Sequence, residues 1–156
     1  MRKTILAAMV VGLCLTLGAG AENARAMDDA VSKHMVAEAT LTAHFIAAAI
    51  KAGMSKKEIN AALAKVAKNS VISEFWISDE KGRIEFTNIP GTSFKFPTDV
   101  NAKSQAAPFA AILSGAKKMV VQGFQARVLD GKSFKYVGVA GVDKARIVQV
   151  GVAGKK

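Results

Sequence analysis

Cysteine is nearly absent from this 156-residue sequence, which holds only Cys14. A single cysteine excludes a disulfide framework within the chain and a Cys-x-x-Cys zinc site. Histidine is scarce as well: His34 and His44 are the two, ten residues apart. If both lie on one straight helix, that spacing leaves them roughly 80° apart around the axis, so they cannot share a metal. No His-Glu-x-x-His is present, and neither is Gly-x-Ser-x-Gly nor a Gly-x-Gly-x-x-Gly after a strand. The ending Gly151-Val152-Ala153-Gly154-Lys155-Lys156 lacks the spacing of a phosphate loop and has no helix after it. The 12 acidic residues are scattered, with no pair poised for acid–base work. The expectation is therefore a protein that is not an enzyme and carries no cofactor. Haem held by one histidine is a minor alternative.

What the chain does have is apolar residues, 51% of the total, and a net charge of +10 from 22 Lys+Arg against 12 Asp+Glu. The apolar fraction excludes a mainly disordered polymer, and the length suits one domain, or one domain with an appendage. Charge of this sign first suggests nucleic acid. The N-terminus points elsewhere. Met1-Arg2-Lys3 is followed by an apolar run from Ile5 to Leu17 and then by Gly18-Ala19-Gly20-Ala21, the three-part pattern of a secretory signal peptide. Cleavage is expected after Ala21 or after Ala26, so the signal occupies 1–26. An uncleaved anchor is the lesser alternative, because the run is shorter than the ~18 residues that span a bilayer. Leu13 before Cys14 argues against lipidation. Either cleavage leaves +8 on the remainder. The predicted location is periplasmic or secreted, where DNA is rarely met. The lysines are dispersed without interleaved aromatics, so base stacking is not suggested either.

From residue 28 the pattern is helical. Asp28-Asp29 is expected to cap a helix starting near Ala30 and ending before Gly53, with Val31, Met35, Leu41, Phe45, Ile46 and Ala49 inward. Ser55-Lys56-Lys57-Glu58 reads as a capping box opening a second helix to about Asn69, with Ile59, Ala62, Leu63 and Val66 as its apolar face. After residue 70 the period becomes two. Strands are predicted over 71–78 and 83–88 around the Asp79–Gly82 turn, then over 117–128, 133–140 and 145–152, with Asp130-Gly131 as a hairpin turn. Val71, Phe75 and Ile77 are expected on one face and Trp76 on the other, with Ile84 and Phe86 sharing a side of the second strand. Residues 89–104 read as irregular, followed by a short helix around Pro108. The fold class is α+β: a long helix (with a second, short one) on a five-stranded antiparallel sheet, the last strand beside the first. One domain, 27–156, is expected. The face roofed only by the irregular insert is the predicted pocket.

The stretch Glu74-Phe75-Trp76-Ile77-Ser78-Asp79-Glu80-Lys81-Gly82-Arg83-Ile84 resembles the first hairpin of Cache domains, the extracytoplasmic PAS-like sensor modules. Residues 130–140 and Arg146-Ile147-Val148-Gln149-Val150-Gly151 resemble their closing strands. The resemblance covers roughly 28–152 and rests on a hairpin turn and strand patterns. It implies a PAS-like sheet that binds a small molecule, often a carboxylate or amino acid, between the sheet and the loops after its second strand. It also implies a sensory role such as chemotaxis. The chain departs from the family layout in having no second apolar span after residue 26, which implies action through a separate membrane sensor or receptor. The aromatic run carrying an arginine that marks the amino-acid-binding double modules is absent.

A site for a small anion needs a cation in a partly dry cleft. Arg127 and Lys135 flank the Asp130-Gly131 hairpin, Arg127 suiting a two-bond carboxylate contact. Tyr136 adds a hydroxyl, Gln122 and Gln149 add amides, and Trp76, Phe86 and Phe96 are candidate apolar walls. Alternation sets Lys135 and Tyr136 on opposite faces. Set against this are solvated edge charges and plain core packing. The functional expectation is an exported binding module for a small anionic metabolite. The alternative is a ligand-free interaction module, pairing through its long helix with a receptor or a second copy, its pocket filled by Trp76 and Phe side chains.

Overall fold

The computed structural model describes the backbone of residues 4–128 and 130–154, and the side chains of residues 20–128 and 130–154. Met1-Arg2-Lys3, the side chains of the apolar run Ile5 to Leu17 with Cys14 inside it, and Lys155-Lys156 lie outside the described residues. Contacts divide the chain into two units, Met1–His34 and Met35–Lys156. Helix α1, Thr4–Lys51, runs through both. It therefore has no N-terminus at Asp28-Asp29, contrary to the sequence expectation. Alanine, leucine and methionine before that point are strong helix formers, and Asp29 acts within the helix by pairing with Lys33 one turn on at 2.8 Å. Among the residues with described side chains, no helix is long and apolar enough to cross a membrane.

In the second unit, Met35, Ala39, Ala43, Ile46 and Ala49 form the buried stripe of α1. Leu41, expected inward, is 65% exposed, and Phe45 is half-buried. Gly53 closes the helix with φ +76°. Helix α2, Lys56–Asn69, begins at the expected capping box: Ser55 Oγ accepts from the Glu58 N–H (3.3 Å) and Glu58 Oε2 accepts from the Ser55 N–H (2.8 Å). Ile59 and Leu63 are buried; Val66 is not.

The sheet is antiparallel with order β2-β1-β6-β5-β3, where β1 is Glu74–Ser78, β2 Ile84–Thr87, β3 Met119–Val121, β5 Ser133–Ala140 and β6 Ile147–Ala153. The last strand does lie beside the first. Val71 falls outside β1 and is 78% exposed. The strand expected over 117–128 is two pieces, β3 and β4 (Gln125–Ala126), both paired with β5. Between Val121↔Val137 and Gln125↔Phe134 the register slips by one residue. The extra residue is a bulge at 122–124.

Directly opposed residues share a face. Phe75, Ile77, Val148, Val150, Val137 and Val139 therefore make one apolar face, with every side chain buried. Helix α2 packs against β1 and β2 on this side, tied by Asn60 Oδ1 accepting from the Thr87 N–H at 3.0 Å. The other face carries Trp76, Gln149 and Ile147. Here a 3₁₀ turn, Ala107–Phe109, continues into helix α3, Ala110–Leu113. Phe96, Phe109, Ile112, Val120 and Ile147 form the core of this side. A second bulge at Ile77/Ser78 separates Ile84 from Phe86. Ile84 joins the cluster around Phe96, while Phe86 opposes Ile77 on the helix side, so the two do not share a side as expected.

Candidate functional site

The expected pocket under the insert is occupied by rings. Trp76, Phe94, Phe96 and Phe109 form a chain of edge-to-face contacts with centroids 5.4, 5.0 and 6.0 Å apart. The sheet is shaped to take them. A Cβ on Gly138 would sit 2.7 Å from Phe109 Cδ1, and one on Gly151 would sit 2.6 Å from Tyr136 Cε1. Small residues at these positions let the rings lie directly on the backbone.

At one end of this face stands a connected polar cluster. Glu74, on β1 and buried, collects three donors: Trp76 Nε1 (3.0 Å) and Tyr136 Oη (2.9 Å) on Oε2, and Arg127 Nη1 (2.5 Å) on Oε1. Arg127 follows β4. Its guanidinium lies 4.1 Å over the Phe134 ring, which stacks on Tyr136. Asp130 takes the remaining fork with two parallel bonds, Nε–Oδ1 at 2.6 Å and Nη2–Oδ2 at 2.8 Å. Hydrogen bonds from Arg127 hold the Asp130 carboxyl well below the usual carboxylate range, and Asp130 in turn raises the Arg127 guanidinium. Burial pushes the Tyr136 phenol upward, helped by the Glu74 charge. Gln105 braces the strand, donating to the Ala126 carbonyl (2.6 Å) and accepting from the Val128 N–H (3.1 Å).

On the helix face a cleft of about 450 Å³ opens, lined by Ile50, Gly53, Met54, Lys56, Glu85, Phe86, Asp143, Lys144 and Arg146. Arg146 is only 1% exposed. Its Nη2 meets Asp143 Oδ2 at 3.0 Å and its Nη1 lies 3.3 Å from Glu85 Oε2. Lys144 Nζ bridges Glu80 and Glu85 at 3.2 and 3.3 Å.

Of the residues singled out from sequence, Trp76, Arg127 and Tyr136 come together through Glu74. Phe96 adjoins them through Phe94, and Gln149 lies buried in mid-face beside Trp76. Gln122 donates to the Gln105 carbonyl at 2.7 Å. Phe86 and Lys135 lie on the opposite face: Lys135 shares a side with Val137, is 1% exposed, and holds its ammonium 5.6 Å from the Phe124 ring. Sequence reasoning misses Glu74, Asp130, Glu85, Asp143 and Arg146. Glu74 had a readable signal, since two residues before Trp76 on a strand is the same face. The fork on Arg127 had none beyond the turn in which Asp130 sits. Among the described residues no group of three or more His, Cys, Asp or Glu is placed to hold a metal ion. No family model matches the chain, and no curated protein matches it.

Proposed function

We propose that this chain is an exported, Cache-like sensory module that binds a small carboxylate at Arg127 and presents the bound state to a separate membrane receptor. The observation that carries the reading is the Asp130 fork. A carboxylate already sits on Arg127 in the two-bond geometry that a ligand carboxylate would adopt, and it belongs to an exposed hairpin. An incoming carboxylate replaces Asp130 on Arg127, while Glu74 keeps the guanidinium in place. Release of the hairpin then changes the surface offered to a receptor.

The test is a thermal-shift screen of small carboxylates on the parent chain, Asp130→Asn and Arg127→Ala. A ligand that binds the native state raises Tm. The shift should grow in Asp130→Asn, which removes the internal competitor, and vanish in Arg127→Ala. If no carboxylate raises Tm in either the parent or Asp130→Asn, the reading fails. A specific observation favours a second reading, the ligand-free interaction module. Four rings fill the space beside Trp76, so that face needs no ligand to be complete.

A further inference from the structure

We infer that the helix-face cleft at Arg146 is a second small-molecule site, and that its ligand is a zwitterion bearing an oxyanion, such as a carboxylate, and a protonated amine. The inference goes beyond the proposed carboxylate site, with which the cleft shares no residue. Arg146 Nε and Nη1 and Glu85 Oε2 are buried and have no hydrogen-bond partner among the described residues. Arg146 Nη1 and Lys144 Nζ each lie 3.3 Å from Oε2, close enough for Coulomb attraction, but neither makes a hydrogen bond with it. Buried polar atoms are nearly always satisfied by protein, water or ligand. The two residues that carry these atoms line a cleft large enough for a small molecule.

The unmet atoms set the chemistry. Two are cationic donors and one is an anionic acceptor, so the complementary molecule brings an acceptor anion and a donor cation. Overall charge agrees. Lys56, Lys144 and Arg146 are balanced by Glu85, Asp143 and the Glu80 that holds Lys144. A simple anion would add an uncompensated charge to this cleft, whereas a zwitterion adds none. Ile50, Met54 and Phe86 provide a wall for a short aliphatic body. The arginine is also deliberately housed. A Cβ on Gly141 would collide with Arg146 Cγ and lie 2.9 Å from its Cδ, so the stem passes where only glycine leaves room.

The probes are valine and alanine as zwitterions, isobutyrate and propionate as their carboxylate halves, and isobutylamine and ethylamine as their amine halves. Binding is read by amide chemical shifts of the full chain. Saturable shifts at Gly53, Phe86 and 143–146 are expected for a zwitterion, with each half at least about tenfold weaker. Glu85→Gln and Lys56→Ala, both at accessible positions, should each weaken zwitterion binding, and Gly141→Ala should abolish it. Arg127→Ala should leave it unchanged, which separates this site from the carboxylate site. Halves that bind as tightly as the zwitterion would overturn the inference. So would shifts confined to 127–136, or no saturable shift at all, which would mean that the cleft holds water alone.

Discussion

Gly138→Ala tests whether the insert is a packed layer on the sheet. Gly138 sits in mid-sheet, opposite Val120 on β3 and Gln149 on β6. An added Cβ would lie 2.7 and 2.8 Å from Cδ1 and Cε1 of Phe109 and 3.4 Å from Ile112 Cδ1. Ordinary carbon contacts are about 3.5–4.0 Å, so the ring must retreat by roughly 1 Å. Phe109 is 1% exposed and touches Phe96 edge-on, which leaves it no free direction. Overpacking of this kind costs ~1–3 kcal/mol, while alanine regains ~0.5–1 kcal/mol over glycine in a strand. The net expectation is a destabilisation of at most about 2.5 kcal/mol. For a unit of this size each kcal/mol corresponds to about 4 °C in Tm. Urea unfolding of Gly138→Ala, Phe109→Leu and the double variant is the assay. The smaller side chain introduced by Phe109→Leu makes room for the methyl, so the double should be more stable than the sum of the singles, by ~0.5 kcal/mol or more. Additive effects, or a Gly138→Ala variant more stable than the parent, would refute the packing of Phe109 on the sheet.

Two further outcomes follow from the same geometry. Gly82 and Gly53 have nearly equal positive φ, +78° and +76°, but a Cβ at 82 would collide with the Phe96 carbonyl, whereas one at 53 would meet nothing within 4 Å. Gly53→Ala should therefore cost only the ~1–2 kcal/mol of left-handed strain, and Gly82→Ala clearly more, as compared by chemical denaturation. Asp130, whose carboxyl is held below its unfolded value near 3.9, contributes stability above that value and loses it as pH falls through the lower folded one. Tm should fall with pH below about 4, and Asp130→Asn should flatten part of that slope.

The elements were legible where a local rule had no competitor. The Ser55 box, Gly53 and the alternation through Phe75, Trp76 and Ile77 each read correctly because cap, turn and strand period depend on neighbours in sequence. The start of α1 was not legible, because Asp28-Asp29 can act as a cap or tolerate mid-helix positions once Lys33 pairs with Asp29. Both bulges were invisible. One separates Ile84 from Phe86, and the other divides the strand before Arg127. Period-two reasoning assumes unbroken register, so a single inserted residue defeats it. That is why such reasoning groups Phe86 with Trp76. It places Lys135 correctly opposite Tyr136, but not as a buried residue, since burial depends on the layer above it.

Three arginines of the second unit share one role in the fold. Arg83, Arg127 and Arg146 each meet a carboxylate, with Asp79, Glu74 and Asp130, and Asp143 and Glu85 as their partners. A planar guanidinium can satisfy several acceptors at once and is weakly hydrated, so it tolerates burial beside them. Most of the scarce acidic residues of the sheet are thereby committed. Lys56, Lys57, Lys65 and Lys68 on α2 stay exposed or at a cleft rim. Among the described residues the positive surplus is thus carried largely by exposed lysines, and it describes the surface more than the buried clusters. At both sites the arginine is already surrounded by carboxylates, and what differs is whether its donors are met. On Arg127 they are shared between Glu74 and Asp130, so a ligand would have to compete. On Arg146 two have no hydrogen-bond partner, so a ligand there would complete rather than compete.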